Sequence, residues 1–465
     1  MTDRQDMTQL HLTADQSVQF WEDGRTLLGG SPYRVLRLST QAAALVGGWL
    51  AGAPVAPVTA HRLLAARLVR AGIAHPVHRS ARLTAQDVTL VVPVRDQPDG
   101  LAGLAAAVAD TAKLLLVDDG SKLPIPGAAV RHEHSRGPAA ARNSGWRKAG
   151  TELVAFLDAD VTPEPGWLEP LLRHFEDPDV VAVAPRVRST PGRSLLARYE
   201  QTRSPLDLGP VGGVVRPGSR VSYLPSAALV LRTSALRELG GFDERMRFGE
   251  DVDLIWRLAA GTGLVRYEPA AVVRHEPRPD WRAWAKQRFG YGTSAAPLAL
   301  RHGRAVAPVK VSFWSAAAWA ALALGRPATG VAIAAGTAAL LPRKLAPFGV
   351  PARESLQLAA RGHLGAGRLL GDAVTRSWWP VAVPLLAATR AGRPLLAAAF
   401  ARHAVDWYRD RPLVDLPRWT AARIADDLAY GAGVWWGALR HRTVAPLLPD
   451  LSDWPGRDGV QRPAD

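Results

Sequence analysis

Short apolar runs alternate with helix-like segments through the central part of the chain. The runs at 88–94, 113–121 and 152–160 are rich in Val, Leu and other apolar residues, and the last two end in acids. Near-continuous apolar runs of this kind are typical of strands that are covered on both faces. The segments 101–110 and 136–150 are predicted to form helices. This alternation predicts an α/β domain built on a mostly parallel sheet.

A smaller module is predicted before this domain, at residues 1–80. Residues 17–38 favour short strands around a Gly-Gly turn, and the Ala/Leu-rich segments 39–52 and 58–72 favour helices. The mixed, polar stretch 74–86 contains a proline and arginines, so we expect a linker there.

Beyond the central domain, residues 306–465 are rich in Ala, Leu, Trp, Pro and Arg. The apolar runs 311–324 and 331–341 contain 14 and 11 residues, and Arg and Pro separate them. Both are shorter than the roughly 20 residues that a helix needs to cross a bilayer. The apolar segment 381–400 is interrupted in a similar way. We predict helices that either pack as ordinary buried helices or lie at a membrane surface with Arg on the polar side.

The composition narrows the chemistry of any site. The chain has 465 residues, which corresponds to roughly three domains of about 150 residues each. It contains no cysteine, which excludes disulfides, thiolate nucleophiles, zinc–cysteine sites and iron–sulfur clusters. A bound metal must therefore have oxygen and imidazole ligands, which favours magnesium, manganese or calcium.

The net charge of +15 is concentrated in one part of the chain. Residues 301–400 contain twelve Lys or Arg and two acids. Such an excess of positive charge is compatible with nucleic acid, anionic lipid or a phosphorylated substrate as a binding partner. These basic residues lie among apolar Ala/Leu segments and not in a recognisable nucleic-acid module, so no nucleic-acid partner is predicted. The N-terminal sequence lacks the apolar run of a secretory signal, which favours a cytoplasmic location.

Acidic side chains follow two of the predicted strands. Asp158 and Asp160 are two residues apart after the third strand, so both carboxylates project to one side and can face a cation, or a cation and a ribose. Ligands of parallel sheets bind outside the carboxyl ends of the strands, where these acids lie. Asp118 ends the second strand and either forms a turn or accepts a hydrogen bond from the imide of a pyrimidine base.

A third acidic group, Glu250, Asp251 and Asp253, precedes a helical run. Acids at a helix start complement the helix dipole, which is one explanation of this pattern. The other is catalytic, because a carboxylate that faces a cation-bound diphosphate across a cleft can deprotonate an acceptor hydroxyl.

Taken in order, these motifs resemble those of the family 2 glycosyltransferases of GT-A fold. The resemblance covers residues 88–301, nearly half of the chain, and it predicts a catalytic domain at 88–305. It rests on VVPVRD, VDDGS, RGPAAARNSGW, FLDADVTPEPGWLEPLL, GGFDERMRFGEDVDLIWRL and VVRHE.

The resemblance implies an inverting transfer from a nucleotide sugar with the help of Mg²⁺ or Mn²⁺. Asp251 would be the general base, and Glu250 would lie on the acceptor side. Asp158 and Asp160 would bind ribose and metal, and His275 would complete the metal site. The nucleotide would contact Pro93, Val94, Arg95, Asp118 and Arg142.

Two motifs depart from the family pattern. Val94-Arg95-Asp96 stands where many relatives have Tyr-Asn-Glu. The Q-x-x-R-W of processive synthases is absent, and residues 286–292 lie in roughly its place. Arg288 and Tyr291 in this segment either line the acceptor path or belong to an exposed helix face.

The whole arrangement resembles the mycofactocin-system glycosyltransferases of actinobacteria, in which the N-terminal module is similar to winged-helix peptide-recognition modules. This resemblance implies β-1,4 transfer of glucose from UDP-glucose to a peptide-derived redox cofactor. Because the module lies before the linker and has no clustered carboxylates or His, we expect it to recognise the acceptor or a pathway partner and to take no part in the transfer chemistry. The apolar, basic segments from about residue 308 favour an enzyme at the cytoplasmic side of the membrane. The alternative is a membrane glycosyltransferase that acts on a lipid or a cell-surface polysaccharide.

Overall fold

The chain forms two compact units, Met1–Pro277 and Arg278–Asp465. A computed structural model describes residues 10–78, 81–96, 101, 104, 108 and 113–451. The predicted end of the catalytic domain is residue 305, whereas the helices between 281 and 302 group with the C-terminal unit. The helix predicted at 101–110 lies mostly outside the described residues.

The N-terminal module consists of short strands and two helices, as the sequence predicts. An antiparallel sheet and an antiparallel strand pair accompany the helices. In chain order the elements are β1 (His11–Ala14), β2 (Gln19–Trp21), β3 (Thr26–Gly29), β4 (Arg34–Arg37), α1 (Thr40–Leu50), α2 (Thr59–Arg70) and β5 (Ala74–Val77). The prediction of a linker from residue 74 is wrong for β5, because these residues pair with β1 and so belong to the module.

A mixed sheet forms the centre of the first unit, and the described residues contribute nine strands to it, in the order β10-β14-β11-β13-β9-β6-β7-β8 with β12 beside β14. Its strands are β6 (Val88–Val94), β7 (Lys113–Asp118), β8 (Val130–Arg131), β9 (Leu153–Leu157), β10 (Val161–Pro163), β11 (Val180–Ser189), β12 (Gly213–Val214), β13 (Ala228–Arg232) and β14 (Leu264–His275). Strands β9, β6, β7 and β8 pair in parallel, and β13 runs antiparallel to both of its neighbours. The α/β prediction is confirmed.

Helices connect these strands. They are α3 (Pro138–Trp146), α4 (Leu168–His174), α5 (Leu195–Arg203), α6 (Thr233–Leu239) and α7 (Glu250–Ala260), and a single 3₁₀ turn, Ala85–Asp87, precedes β6. Gly249 immediately precedes helix α7, and its φ of 76° is a left-handed conformation that glycine adopts without steric cost.

One hydrophobic core joins the N-terminal module to the sheet. Leu27 and Leu68 of the module belong to the same buried cluster as Leu90 and Leu153 of the sheet. All five residues of β9 are buried, as expected for a strand that is covered on both faces. The module and the sheet therefore depend on each other for the burial of their apolar surface.

The second unit is helical. Its helices are α8 (Trp281–Thr293), α9 (Ala295–His302), α10 (Phe313–Ala323), α11 (Pro327–Leu345), α12 (Ala352–Arg376), α13 (Trp379–Ala388), α14 (Gly392–Asp410) and α15 (Leu416–Arg440), and β15 (Lys310–Val311) pairs with β16 (Asp450–Leu451). Helices α8 and α15 approach closely at Gly292 and Gly433, because a Cβ on Gly433 would lie 2.1 Å from the Phe289 carbonyl oxygen.

The apolar runs of this unit are helical, as predicted. Within the described part of the chain, none of the helices combines the length and the apolar character that crossing a membrane requires. Trp319 is packed between helices, since its Nε1 donates to the carbonyl oxygen of His363 at 2.8 Å. Trp314, by contrast, is exposed.

Candidate active site

The acids after β9 lie at the carboxyl end of that strand, next to the end of β14. Val161 of the edge strand β10 pairs with His275 of the adjacent strand β14. This register places His275 Nε2 3.4 Å from Asp160 Oδ2. The structure thus brings together Asp160 and His275, two of the three predicted metal ligands.

Arg142 joins this region to the start of α7. Its Nη2 donates to Asp158 Oδ1 at 2.6 Å, and its Nη1 donates to Glu250 Oε1 at 2.9 Å. The guanidinium is buried and also lies over the ring of Phe242, 5.6 Å from its centroid. Arg142 therefore holds two acidic motifs that are almost one hundred residues apart in the sequence.

The three predicted metal ligands do not form one cluster. Among the residues that the structure describes, no group of three or more His, Asp or Glu side chains could hold a metal ion. The physical reason is that the Asp158 carboxylate is turned to Arg142, which leaves the pair Asp160 and His275. Such a pair still fits Mg²⁺ or Mn²⁺ in a nucleotide-sugar site, because Mg²⁺ commonly takes one or two carboxylates together with water and substrate phosphates.

Glu250 and Asp251 are two adjacent carboxyls with raised pKa values. Burial, followed by the charge of Asp251, raises the pKa of Glu250 to about 7. Burial also raises the pKa of Asp251. The Asp251 carboxylate accepts hydrogen bonds from the Ser226 N–H at 3.2 Å and from the Val252 N–H at 2.8 Å. A half-buried carboxylate with a raised pKa is suited to proton transfer near neutral pH.

Asp118 does not present a free carboxylate. Its side chain is 0% exposed, and it accepts hydrogen bonds from Arg131 and from the N–H groups of Ser121 and Ile125. These hydrogen bonds stabilise the loop that follows β7. The binding of a base by this carboxylate stays a prediction, and it would require a base to replace one of these hydrogen bonds.

The comparisons with known proteins agree with these motifs. The family described as Glycosyl transferase family 2 matches residues 89–240. The pre-mycofactocin glycosyltransferase of Mycobacterium tuberculosis (strain H37Rv) is 42% identical over 463 residues, which cover 94% of this chain and 97% of that protein. The chain belongs to the family 2 glycosyltransferases.

Other proteins resemble parts of this glycosyltransferase. The N-acetylglucosaminyl-diphospho-decaprenol L-rhamnosyltransferase of M. tuberculosis is 30% identical over 237 residues, 41% of this chain and 76% of that protein. A solved mannosyltransferase of Pyrobaculum calidifontis, in complex with GDP-Man and Mn²⁺, has a TM-score of 0.42 and 18% identity, and the alignment covers 77% of this chain and 91% of that chain. The family match lies within the α/β domain that the motifs predict.

The loop after β6 is tied to the loop after β7 in this glycosyltransferase. Val94 is buried and its carbonyl oxygen accepts from the Asp119 N–H at 2.8 Å, whereas Pro93 is half-buried. Arg95 is exposed, and its Nη1 donates to Ser135 Oγ at 3.1 Å. Arg95 is therefore the member of the predicted nucleotide-binding segment whose side chain a ligand can reach most easily.

Asn143 is a structural residue of the site that was not among the predicted site residues. Its Nδ2 donates to the Phe242 carbonyl oxygen at 2.9 Å, and its Oδ1 accepts from the Phe242 N–H at 3.0 Å. The signal was its position in the motif RGPAAARNSGW, one residue after Arg142. Its partner is 99 residues away along the chain, so local sequence does not reveal the contact.

The two predicted acceptor-side residues of α8 lie in the second unit. Arg288 is 1% exposed, and its Nε lies 3.1 Å from Asp426 Oδ1. The alternative of an exposed helix face is therefore wrong for Arg288. Tyr291 is half-buried on the same helix, and its part in acceptor binding stays a prediction.

Proposed function

We propose that this glycosyltransferase transfers glucose from UDP-glucose to the peptide-derived precursor of mycofactocin, in β-1,4 linkage and with inversion at the anomeric carbon. The proposal is supported by the similarity to the pre-mycofactocin glycosyltransferase over nearly the whole of both chains. The observation that carries it in the structure is Arg142, which holds the acids after β9 beside the two carboxyls that begin α7.

In this proposal Asp251 is the general base. It takes the proton of an acceptor hydroxyl while the hydroxyl oxygen attacks the anomeric carbon from the face opposite the nucleotide. The new C–O bond forms as the bond to the diphosphate breaks, and the bonding electrons leave with the diphosphate. The raised pKa of Asp251 favours proton transfer to it at neutral pH.

Other residues of the site bind and orient the groups that react. Arg142 fixes Asp158 relative to Glu250, which keeps the donor side and the acceptor side of the site in register. Asp160 and His275 would hold Mg²⁺ or Mn²⁺. When bound, such a cation would supply positive charge to the departing diphosphate.

The function is tested by incubation of the purified enzyme with a panel of nucleotide sugars and an extract that contains the cofactor precursor. Mass spectrometry of the small molecules should show a repeated hexose increment on one species, with UDP-glucose only. Asp251→Asn protein is the matched control and should give no increment in the same time. Hexose incorporation into lipid or polysaccharide alone would support the alternative acceptor instead.

We also propose that the enzyme works at the cytoplasmic face of the membrane, with the helical unit in contact with lipid. Helices α10 and α11 carry exposed apolar side chains, among them Trp314 and Val331, the latter 63% exposed. Arg326, Arg343 and Lys344 lie near them in the sequence, and residues 311–353 contain no acid. An apolar surface with basic residues matches the chemistry of an anionic leaflet.

A further inference from the structure

The segment between α5 and β13 ends against the catalytic carboxyl. The N–H of Ser226, two residues before β13, donates to Asp251 Oδ2 at 3.2 Å. Four residues earlier, the Ser222 carbonyl oxygen accepts a hydrogen bond from Trp256 Nε1 at 2.6 Å. Residues 222–226 therefore contact helix α7 at two points, one of which is the Asp251 carboxylate.

The N-terminal module contacts Arg220, two residues before this segment. Arg220 makes a two-pronged ion pair with Asp15 of the module, with Nη1 2.9 Å from Oδ2 and Nη2 3.0 Å from Oδ1. The Arg220 N–H also donates to Ser31 Oγ at 2.6 Å. A bidentate arginine–carboxylate pair fixes direction as well as distance.

Other residues of the module already orient and ionise the Asp15 carboxylate. It is buried and accepts further hydrogen bonds from the Ser17 N–H at 3.0 Å and from His75, whose Nε2 lies 2.9 Å away. Although burial opposes ionisation, the hydrogen bonds from Arg220 and Ser17 hold the pKa of Asp15 well below its usual range. The carboxylate is thus charged at every pH used in an enzyme assay, and loss of Arg220 would leave a buried charge short of a partner.

We propose that the Asp15–Arg220 ion pair makes the N-terminal module a positioning element of the catalytic centre. The ion pair fixes the position of residue 220. Because Ser226 lies only six residues after Arg220, the pair also restrains the position of the Ser226 N–H that donates to Asp251. Asp15 and Arg220 are positioning residues, because neither contacts the reacting atoms. This inference rests on the proposed role of Asp251 as general base, and it gives the module a part in the transfer step that the sequence did not predict.

The proposal has a kinetic signature that mere stabilisation of the fold does not share. The hydrogen bond from the Ser226 N–H lowers the pKa of Asp251. Release of the segment 220–226 would weaken this hydrogen bond and so remove part of that lowering. The other charged groups around Asp251 are Arg142, Glu250 and Asp158, and they are unchanged by substitution of Arg220. The pKa of Asp251 should then rise, so that the acid limb of the pH–rate profile moves to higher pH while kcat falls.

The test compares Arg220→Gln with Arg70→Gln in the full-length enzyme. Arg70 is a matched control, because it also joins the module to the catalytic domain, with Nη2 2.6 Å from Asp179 Oδ2 and Nη1 donating to the Thr262 carbonyl oxygen at 2.9 Å. Arg220→Gln should lower kcat on the order of 10-fold, with little change in donor KM, since a misplacement of about 1 Å can cost 10²-fold and a weakened anchor should displace Asp251 by less. Arg70→Gln should keep the parent kcat and pH profile.

Further variants separate positioning from folding. Arg220→Lys keeps the charge and should recover part of kcat. Asp15→Asn should lower kcat in the same direction as Arg220→Gln, and the double variant should be no worse than the more impaired single variant. If Arg220→Gln protein does not fold, Ser31→Ala removes the acceptor of the Arg220 N–H and should lower kcat by a smaller factor.

Two results would overturn the inference. One is a parent kcat and pH profile in folded Arg220→Gln protein, or in Ser31→Ala protein if that variant is needed. The other is a fall of kcat in Arg70→Gln protein as large as that in Arg220→Gln protein. This would show that the loss of any contact between the module and the catalytic domain lowers kcat equally. A fully active Asp251→Asn enzyme would instead refute the proposed function, so the two failures are distinguishable.

Discussion

At the scale of single residues, Asp251 has the surroundings that a catalytic base requires. Burial raises its pKa, whereas the N–H groups of Ser226 and Val252 stabilise the ionised form. Such an acid accepts protons better at neutral pH than an exposed aspartate does. The positive charge of Arg142 lowers the pKa of Asp251 and the negative charge of Asp158 raises it.

Replacement of Asp251 by Asn should lower kcat by a factor on the order of 10² to 10⁴, because an amide keeps the shape but cannot take the proton. Donor affinity should change little, since the carboxylate is proposed to act on the acceptor. Steady-state kinetics with UDP-glucose and the acceptor measure both quantities. A loss of donor affinity with kcat intact would assign Asp251 to the structure of the helix start.

Glu250→Gln should move the acid limb of the pH–rate profile to lower pH. A raised pKa means that Asp251 holds its proton until a higher pH, so activity is lost as the pH falls through that value. The charge of Asp251 raises the pKa of Glu250, so the two carboxyls titrate as a coupled pair. Removal of the Glu250 carboxyl takes away the repulsion between the two ionised groups, which favours ionisation of Asp251. Rates measured between about pH 5 and 9 would show the shift, and an acid limb in the parent position would contradict the coupling of the two carboxyls.

The divalent cation is tested at Asp160. If Asp160 and His275 hold it, Asp160→Ala should reduce kcat on the order of 10²-fold, and EDTA should have a similar effect on the parent enzyme. Restoration of the parent activity by Mn²⁺ or Mg²⁺ after chelation is the control. Near-parent rates under both treatments would exclude this site.

At the scale of elements, the segment between α6 and α7 depends on two adjacent glycines. Gly240 and Gly241 both have positive φ, 75° and 83°, but only Gly241 is crowded. A Cβ on Gly241 would lie 2.4 Å from Asn143 Oδ1, the atom that accepts from the Phe242 N–H. This close approach locks the segment before α7 to helix α3.

Gly241→Ala should therefore lower the free energy of unfolding by about 1–3 kcal/mol and reduce activity, because it adds a steric clash to the backbone strain. Gly240→Ala is the matched control: its φ carries the same strain, yet nothing lies within 4 Å of the added Cβ. Urea denaturation of both variants measures the difference. An equal fall of the free energy of unfolding in the two variants would mean that the close contact with Asn143 contributes nothing to the cost of Gly241→Ala.

The helical unit also shows how far a local pattern determines an element. Helices α10 and α11 cover the two apolar runs that the sequence marks, and Arg326 and Pro327 mark the break between them. Whether each apolar side chain is covered depends on neighbouring helices. Trp319 donates to the His363 carbonyl oxygen, whereas Trp314 stays exposed.

At the scale of the whole molecule, the basic and apolar character of the second unit predicts its behaviour on fractionation. The enzyme should sediment with membranes at low salt and be only partly released by high salt. Each basic residue near an anionic leaflet contributes about 1 kcal/mol, which salt screens, while apolar burial is insensitive to screening.

Vesicles that contain anionic lipid should bind the enzyme, and neutral vesicles should bind it less. A variant with Arg343→Gln and Lys344→Gln should need less salt for release. Complete recovery in the soluble fraction at low ionic strength would show that α10 and α11 are ordinary helices of the fold.

By itself the sequence determined β6, β7 and β9 of the central sheet and the order of the motifs. The prediction at 88–94 coincides with β6, and α1, α2 and α3 lie within predicted helices, because apolar periodicity is a local property of the chain. The acids at 158, 160 and 251 were evident for a similar reason, since each lies beside an apolar run in a short motif.

Only the tertiary structure decided which of these acids are available to a ligand. Asp118 and Asp158 look alike in the sequence, yet Asp118 is buried among its own loop and Asp158 meets Arg142. Arg220 carries no motif, and its partner Asp15 is 205 residues away. Such pairs depend on the order of strands in the sheet and on a core shared with the N-terminal module, and both arise from contacts between distant segments.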